Sequence, residues 1–286
     1  TGRQQQFNFF LLLVLFSSCA RVAFAQDEQT RWAKWETDAD TLMGHQDFNG
    51  AIKLYSKIID ESKLKDKSNY KALYKRAVGY YSIENFDQAL KDVSLYVNQF
   101  AESPKAHLLL ALIYRHKNDE VNQLIEVQKC IELGNRNPQL LFWRGTLLAA
   151  KGEYELAKKD LLLFKTINDD AEVEAVLGSV YHALGNIDSA FVCLNNAIIL
   201  DVNYTPSYLY AGSFCMEQKE YDLAIKYLNL ALRIEPENAS ALFYKGVALV
   251  ENDKIDQGCS CLRKALEAGE DGATDYLKEF CYGVYK

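Results

Sequence analysis

Cysteine is the residue type in this sequence with the clearest capacity for covalent chemistry. Seven cysteines are present, and six of them follow residue 25. In an oxidising compartment an even number of thiols permits disulfides. Cys281 can reach either Cys259 or Cys261 in the segment before it, and we take Cys261 and Cys281 as the candidate pair. The alternative is that the thiols stay free as small apolar fillers, which we expect for Cys130 in particular.

Acid–base and metal chemistry lack the residue patterns that they need. The four histidines, His45, His107, His116 and His182, include no pair four residues apart, and no HExxH or CxxC sequence occurs. No GxSxG nucleophile elbow and no phosphate-binding glycine loop occurs either. We therefore expect no catalytic residue, no metal and no cofactor, and we predict a protein that is not an enzyme.

The first 25 residues differ in character from the rest of the chain. Arg3 is followed by an almost wholly apolar run over 7–16 and by the small-x-small sequence AFA at 23–25, the pattern of a signal peptide over 1–25. The run is too short to cross a bilayer, which takes about 20 residues. Residues 16–19 (FSSC) resemble a bacterial lipobox with Phe in place of Leu, so lipidation at Cys19 is the alternative. We expect export to the periplasm or the medium, with an outer-membrane lipoprotein as the lipidated form.

Composition limits both the fold and the partners. Hydrophobic residues make up 49% of the chain, which is too many for a disordered protein, and only four prolines occur, which favours helices. The net charge of −7 argues against a basic nucleic-acid-binding face. We expect no nucleic-acid partner, and a membrane contact only through a lipid on Cys19. The sequence leaves the oligomeric state open.

Small residues recur along the chain at intervals of about 34 residues. One set consists of Ala39, Ala77, Ala111, Gly145, Gly178, Gly212 and Gly246. A second set follows within each repeat and consists of Ala51, Ala89, Gln123, Ala157, Ala190, Ala224 and Gly258, of which all but Gln123 are Ala or Gly. Helices approach closely only where side chains are small, so the two sets predict pairs of antiparallel helices that cross at these points.

This repeat resembles the tetratricopeptide repeat family. In the repeat that begins at 205, the family's spacing is followed by Tyr208, Ala211, Gly212, Cys215, Ala224, Leu228 and Pro236. The same frame places repeats that start near 32, 70, 104, 138, 171, 205 and 239. The resemblance implies an all-α fold over 26–286, a right-handed α-α superhelix (solenoid) of about seven helix pairs. We expect Ala273–Tyr282 to form a C-terminal capping helix over the last pair.

The family binds protein or peptide partners on the concave face that its first helices form, and it is not catalytic. Its groove-facing positions map onto Tyr74, Lys75, Tyr81, Leu112, Arg115, Phe142, Trp143, Tyr210, Phe243 and Tyr244. The basic members of this set lie in the second and third repeats. The Asn that chaperone-binding members carry at the ninth position of a repeat is absent. The resemblance therefore implies a non-catalytic protein-interaction scaffold that is secreted or lies in the cell envelope.

Three alternatives stay open at this point. The first is a lipid-anchored accessory subunit of an envelope assembly or secretion complex. The second, of another class, is an enzyme on a helical-repeat scaffold, for which the sequence offers no catalytic constellation. The third concerns the groove residues alone, since several of them can pack between neighbouring first helices instead of binding a partner.

Overall fold

The computed structural model describes residues 26–64, 66 and 69–281. The predicted signal segment 1–25, with Cys19 in it, and Tyr282 at the end of the predicted capping helix lie outside these residues. All regular secondary structure in the described ranges is helical, which confirms the predicted all-α class. No helix in these ranges is long and apolar enough to span a bilayer.

The helices follow one another through short connections and fall into two compact units, divided between Asn135 and Arg136. Unit 1 contains α1 (26–44), α2 (Phe48–Ser62), α3 (Tyr70–Ser82), α4 (Phe86–Val97), α5 (Pro104–His116) and α6 (Glu120–Glu132). Unit 2 contains α7 (Gln139–Ala150), α8 (Tyr154–Lys165), α9 (Ala171–Ala183), α10 (Ile187–Leu200), α11 (Thr205–Glu217), α12 (Tyr221–Ile234), α13 (Ala239–Glu251) and α14 (Ile255–Glu267). A short α15 (Ala273–Tyr276) and a π-helical turn (Leu277–Cys281) follow. That residues 26–286 form one continuous solenoid, with repeats at the boundaries given above, stays a prediction.

Successive helices pack in pairs, and the small residues of the repeat lie where the two helices of a pair cross. A Cβ atom built on Gly212 of α11 would lie 2.8 Å from Leu228 Cγ of α12. Gly145 of α7 faces Leu161 of α8 in the same way, at 2.7 Å. Real Cβ atoms do not come this close to a neighbour, so these positions have no room for a larger residue. The predicted close crossing is confirmed.

The turn inside each pair has the same construction throughout the described ranges. One residue adopts a positive φ, and the next residue is the N-cap of the second helix; the positive-φ residues are Gln46, Glu84, Asn118, Gly152, Gly185, Lys219 and Asp253. Gly152 and Gly185 adopt this conformation without steric cost. Several of the N-cap side chains then accept the N–H of the third helical residue, as Asp47 does from Gly50 at 2.9 Å.

Two buried ion pairs tie a first helix to its second helix. Arg76 of α3 donates Nε to Asp92 Oδ2 at 2.6 Å and Nη2 to Oδ1 at 2.9 Å. Arg144 of α7 makes the same two-pronged contact with Asp160 of α8, at 2.6 and 2.7 Å. The Asp92 and Asp160 side chains are 2% and 7% exposed, so each carboxylate depends on its arginine for charge compensation.

The C-terminal cap, defined as Ala273–Cys281, is helical as predicted, but its second half departs from an α-helix. Leu277–Cys281 is π-helical, with backbone hydrogen bonds that span one residue more than in an α-helix. Ala273 and Leu277 are buried in one apolar cluster with Leu262 of α14. The cap therefore covers the end of the last helix pair.

The structure corrects the disulfide that the sequence favoured. Cys281 is bonded to Cys259, whose Cα atom lies 5.7 Å away, while Cys261 is a half-buried free thiol. Residues two apart on a helix point about 200° away from each other, so only one of these two cysteines of α14 can face the cap. The sequence could not choose between them because it does not fix how α14 is rotated relative to the cap.

Replacing Gly212 by Ala should destabilise unit 2 by about 1–3 kcal/mol, because the added methyl group would overlap Leu228 and push α11 and α12 apart. Urea unfolding followed by far-ultraviolet circular dichroism should show a lower midpoint. Gly44→Ala is the matched control, since a Cβ there meets nothing within 4 Å, and it should leave the midpoint unchanged or raise it. An unchanged midpoint for Gly212→Ala would contradict the close crossing.

Candidate partner-binding surface

In unit 1 the predicted site residues lie on the first helices α3 and α5. Tyr74, Lys75 and Tyr81 of α3 are half-buried. On α5, Leu112 is half-buried and Arg115 is exposed. These side chains therefore keep part of their surface open to a partner.

Aromatic contacts hold Tyr74 and Tyr81 of α3 in place. The Tyr81 ring meets Phe86 edge-on at 5.7 Å between centroids, and its hydroxyl lies 3.0 Å from His116 Nε2. His116 in turn stacks on Phe86 at 4.7 Å, and Tyr74 contacts Tyr96 at 5.4 Å. Burial raises the pKa of Tyr74 and of Tyr81, so both hydroxyls stay protonated at neutral pH.

Lys75 is ion-paired within unit 1. Its Nζ donates to Glu36 Oε1 and to Asp40 Oδ2, each at 2.6 Å. Burial alone would lower the pKa of Lys75, but the hydrogen bonds to Asp40 and Glu36 outweigh burial and raise it. Two carboxylates around one ammonium group leave a local negative charge. Lys75 therefore links α1 and α3, and its role as a partner-binding cation stays a prediction.

In unit 2 two of the predicted anchors are buried. Phe142 and Trp143 of α7 are only 6% and 9% exposed. The Phe142 ring packs on Phe164 of α8 with centroids 5.1 Å apart. Phe142 is therefore corrected from a partner-binding anchor to a core residue, and Trp143 presents little surface to a partner. Phe142 thus packs on the second helix of its own pair, and not as the alternative of packing between first helices describes.

Tyr210 of α11 is half-buried at the edge of an aromatic cluster that the sequence did not reveal. Its ring lies 6.2 Å from Phe214, and Phe214 stacks face to face on His182 of α9 at 3.7 Å. His182 Nε2 lies 3.4 Å from a carboxylate oxygen of Glu217. Burial raises the pKa of Tyr210, which keeps its hydroxyl a hydrogen-bond donor.

Four half-exposed rings form a continuous series at the end of unit 2, which we call the terminal aromatic row: Tyr244, Phe243, Tyr276 and Phe280. Along the row the centroids are 5.5, 5.8 and 5.9 Å apart. Phe243 and Tyr244 are predicted site residues. Tyr276 and Phe280 are not, because the repeat pattern predicts the cap only as a cover over the last helix pair. Tyr276 and Phe280 are four residues apart, and this spacing in a helical segment indicates two rings on the same face.

Hydroxyl side chains recur on three successive first helices of unit 2. Thr146, Ser179 and Ser213 each donate to the backbone carbonyl three residues earlier, at 2.9, 2.8 and 3.0 Å. Since these bonds use the single hydroxyl proton, the oxygen lone pairs remain as acceptors. The first helices of unit 2 therefore offer hydrogen-bond acceptors beside their aromatic rings.

Three of the four free thiols in the described ranges are unreactive at neutral pH. Cys130, Cys193 and Cys215 are buried, which confirms the expectation for Cys130. Burial raises the pKa of the Cys130 and Cys193 thiols to about 12 and that of Cys215 to about 11. The thiolate is the reactive form, so these side chains act as apolar fillers at neutral pH. Within the described ranges no three His, Cys, Asp or Glu side chains are grouped so as to hold a metal ion.

Comparison with known proteins gives the class of this fold. Residues 205–238 match the tetratricopeptide repeat family model. TPR repeat-containing protein MJ1428 of Methanocaldococcus jannaschii is 24% identical over 242 residues, which cover 79% of this chain and 41% of that protein. The chain therefore spans less than half the length of this curated relative.

Three solved structures share the fold at low sequence identity. A tetratricopeptide repeat protein from Parabacteroides merdae has a TM-score of 0.63 at 13% identity, covering 87% of this chain and 96% of its own. The C-terminal part of a TPR repeat-containing protein from Cytophaga hutchinsonii has a TM-score of 0.57 at 18% identity, and the match covers 85% of this chain and 99% of that one. Pseudomonas aeruginosa pilF has a TM-score of 0.54 at 21% identity, and the match covers 73% of this chain and 97% of that one. With the matched repeat, these findings support the tetratricopeptide repeat family, whose fold is generally a non-catalytic scaffold for protein partners.

Thiol titration should distinguish the half-buried free thiol, the buried free thiols and the disulfide-bonded cysteines. In a Cys19→Ser variant at about pH 8, only Cys261 should react rapidly, because the other free thiols are buried and protonated. Denaturation without reductant should release four thiols, and denaturation with reductant should release six. Six thiols without reductant would contradict the Cys259–Cys281 disulfide.

Proposed function

We propose that this chain is a non-catalytic scaffold that binds a protein or peptide partner on the first helices of unit 2. The observation that carries the proposal is the set of half-exposed rings on α11 and α13, namely Tyr210, Phe243 and Tyr244. Tyrosine and tryptophan are enriched among the residues that dominate protein interfaces. Burying a fully exposed large apolar side chain contributes about 1.5–3 kcal/mol, and covering a half-buried ring contributes a part of that.

The arrangement suits a peptide segment better than a compact small molecule. Helices α7, α9, α11 and α13 contact one another in order within unit 2. The hydroxyl acceptors lie on α7, α9 and α11, and the half-exposed rings lie on α11 and α13. Packed helices lie about 8–10 Å apart, and an extended chain rises about 3.3 Å per residue. Roughly three residues of a bound segment would therefore span one helix spacing, with backbone N–H groups meeting the hydroxyl acceptors.

We also propose that the protein acts outside the cytoplasm. The signal-like pattern of residues 1–25 and the Cys259–Cys281 disulfide support this location, since disulfides persist in oxidising compartments. Lipidation at Cys19 would make the chain an envelope-anchored accessory subunit, whereas cleavage after residue 25 would release it. Mass spectrometry of the mature N-terminus separates the two forms, because one begins with acylated Cys19 and the other with Gln26.

Replacing Tyr210 by Ala should weaken partner binding at least about tenfold, because the ring supplies buried apolar area at the interface. A photo-reactive phenylalanine at position 210 would first capture the partner in native envelopes, and calorimetry with the purified partner would then measure the affinity.

The matched control is Val192→Ala on the second helix α10, where the side chain is 58% exposed and is not one of the proposed binding residues. This variant should bind like the wild type, and a photo-reactive residue at 192 should not capture the same protein. Both variants should keep the helical circular dichroism of the wild type. Wild-type affinity in Tyr210→Ala would show that the first helices of unit 2 are not the binding surface.

A further inference from the structure

We infer that the terminal aromatic row binds a cationic segment, one that carries Arg or Lys side chains, of the protein partner. The inference rests on the proposed function, because Phe243 and Tyr244 belong to both surfaces. It adds the chemical class of the bound segment and brings the cap into the binding surface.

The row is held together by the cap. Tyr276 lies between Ala273 and Leu277 in sequence, and these two neighbours are 0% and 1% exposed. Phe280 directly precedes Cys281, which is covalently bonded to α14. The two cap rings therefore cannot move away from α13 while the disulfide is intact. A surface that is ordered before binding loses less conformational entropy when a partner docks.

Carboxylates border the row where the cap begins. A Cβ built on Gly272 would lie 3.2 Å from Glu270 Oε1 and 3.7 Å from Phe243 Cζ, so this carboxylate oxygen is at most about 7 Å from the ring atom. Asp271 is exposed next to it in sequence. A cation placed over the Phe243 face would therefore have a carboxylate within reach.

Further carboxylates flank the two cap rings. Asp275 precedes Tyr276 and Glu279 precedes Phe280, and both are exposed. Over residues 267–281 the chain carries five carboxylates and a single cation, Lys278. Lys278 lies 3.5 Å from Asp275, so the cap presents an excess of negative charge around its rings.

This combination selects cations over other partners. The face of an aromatic ring attracts a guanidinium or ammonium group through its quadrupole, and an adjacent carboxylate adds a charge-assisted hydrogen bond. An acidic segment would be repelled, and a purely apolar segment would leave the carboxylates desolvated without a partner. Arg and Lys side chains also bring apolar stems that can lie along the rings.

A pair of fluorescein-labelled peptides tests the inference, one an Arg-Leu-Gly repeat and the other a Glu-Leu-Gly repeat of equal length. Anisotropy titrations with the full chain at low salt should show the Arg peptide binding at least about tenfold more tightly. Tyr276→Leu and Phe280→Leu should each weaken Arg-peptide binding about three- to fivefold, since leucine keeps apolar volume but lacks the ring face. Tyr154→Leu, a half-buried ring of α8 outside the row, should leave it unchanged.

Two measurements separate lost recognition from a lost cap. Thiol titration should show the disulfide intact in Tyr276→Leu and Phe280→Leu, so that any loss of binding comes from the rings. The double variant Cys259→Ser/Cys281→Ser should release the cap and weaken Arg-peptide binding at least as much as either leucine variant. Unchanged binding in the double variant would overturn the role of the cap.

The outcomes for the inference and for the proposed function are distinguishable. If Tyr210→Ala weakens Arg-peptide binding while both leucine variants bind normally, the first-helix surface binds and the terminal row is overturned. If the leucine variants weaken binding and Tyr210→Ala does not, the terminal row is supported and the wider surface fails. Equal affinity for the Arg and Glu peptides would overturn the assignment of a cationic segment.

Discussion

The close approach of two helix backbones inside each pair is the constraint on which the rest of this structure depends. At Gly178 a Cβ would meet Leu194 Cγ at 3.0 Å and the Ala190 carbonyl at 3.2 Å. Only a glycine on the first helix leaves space for the leucine that enters from the second. Once that leucine is seated, the rotation of both helices about their axes is fixed, because any turn would drive a larger side chain into the contact.

Fixed rotation also decides where the buried charges meet. Gly145 and Leu161 share one register across the pair α7 and α8, and the neighbouring residues Arg144 and Asp160 form an ion pair in the same register. In unit 1 the equivalent pair is Arg76 with Asp92. A buried pair of this kind contributes little net stability compared with apolar packing, but a shift of register would leave a carboxylate buried without its partner. The ion pairs therefore penalise misaligned helices.

The same rotation determines which aromatic rings remain available for recognition. On α7 it turns Phe142 into the core against Phe164, whereas on α11 and α13 it leaves Tyr210 and Tyr244 partly open. The cap then extends this surface, because the bond from Cys281 to α14 holds Tyr276 against Phe243. In the proposed function, recognition would depend on the Cys259–Cys281 bond at the end of unit 2 as well as on the helix pairs.

The sequence by itself determined the helical class, the crossings at residues such as Gly212 and Gly246, and the helical cap near Ala273. These features are local or periodic, so a single chain pattern reveals them. It did not decide which groove positions stay exposed, that Lys75 is paired with Glu36 and Asp40, or that Cys281 bonds Cys259 instead of Cys261.

Those outcomes belong to the tertiary structure for one physical reason. A repeat pattern assigns a residue to a helix face, but burial and pairing depend on which side chains of other helices occupy the space opposite that face. Phe142 and Phe243 occupy the same place in the repeat, yet the first is buried against Phe164 while the second stays partly exposed. Only the packed helices decide between core and surface at such positions.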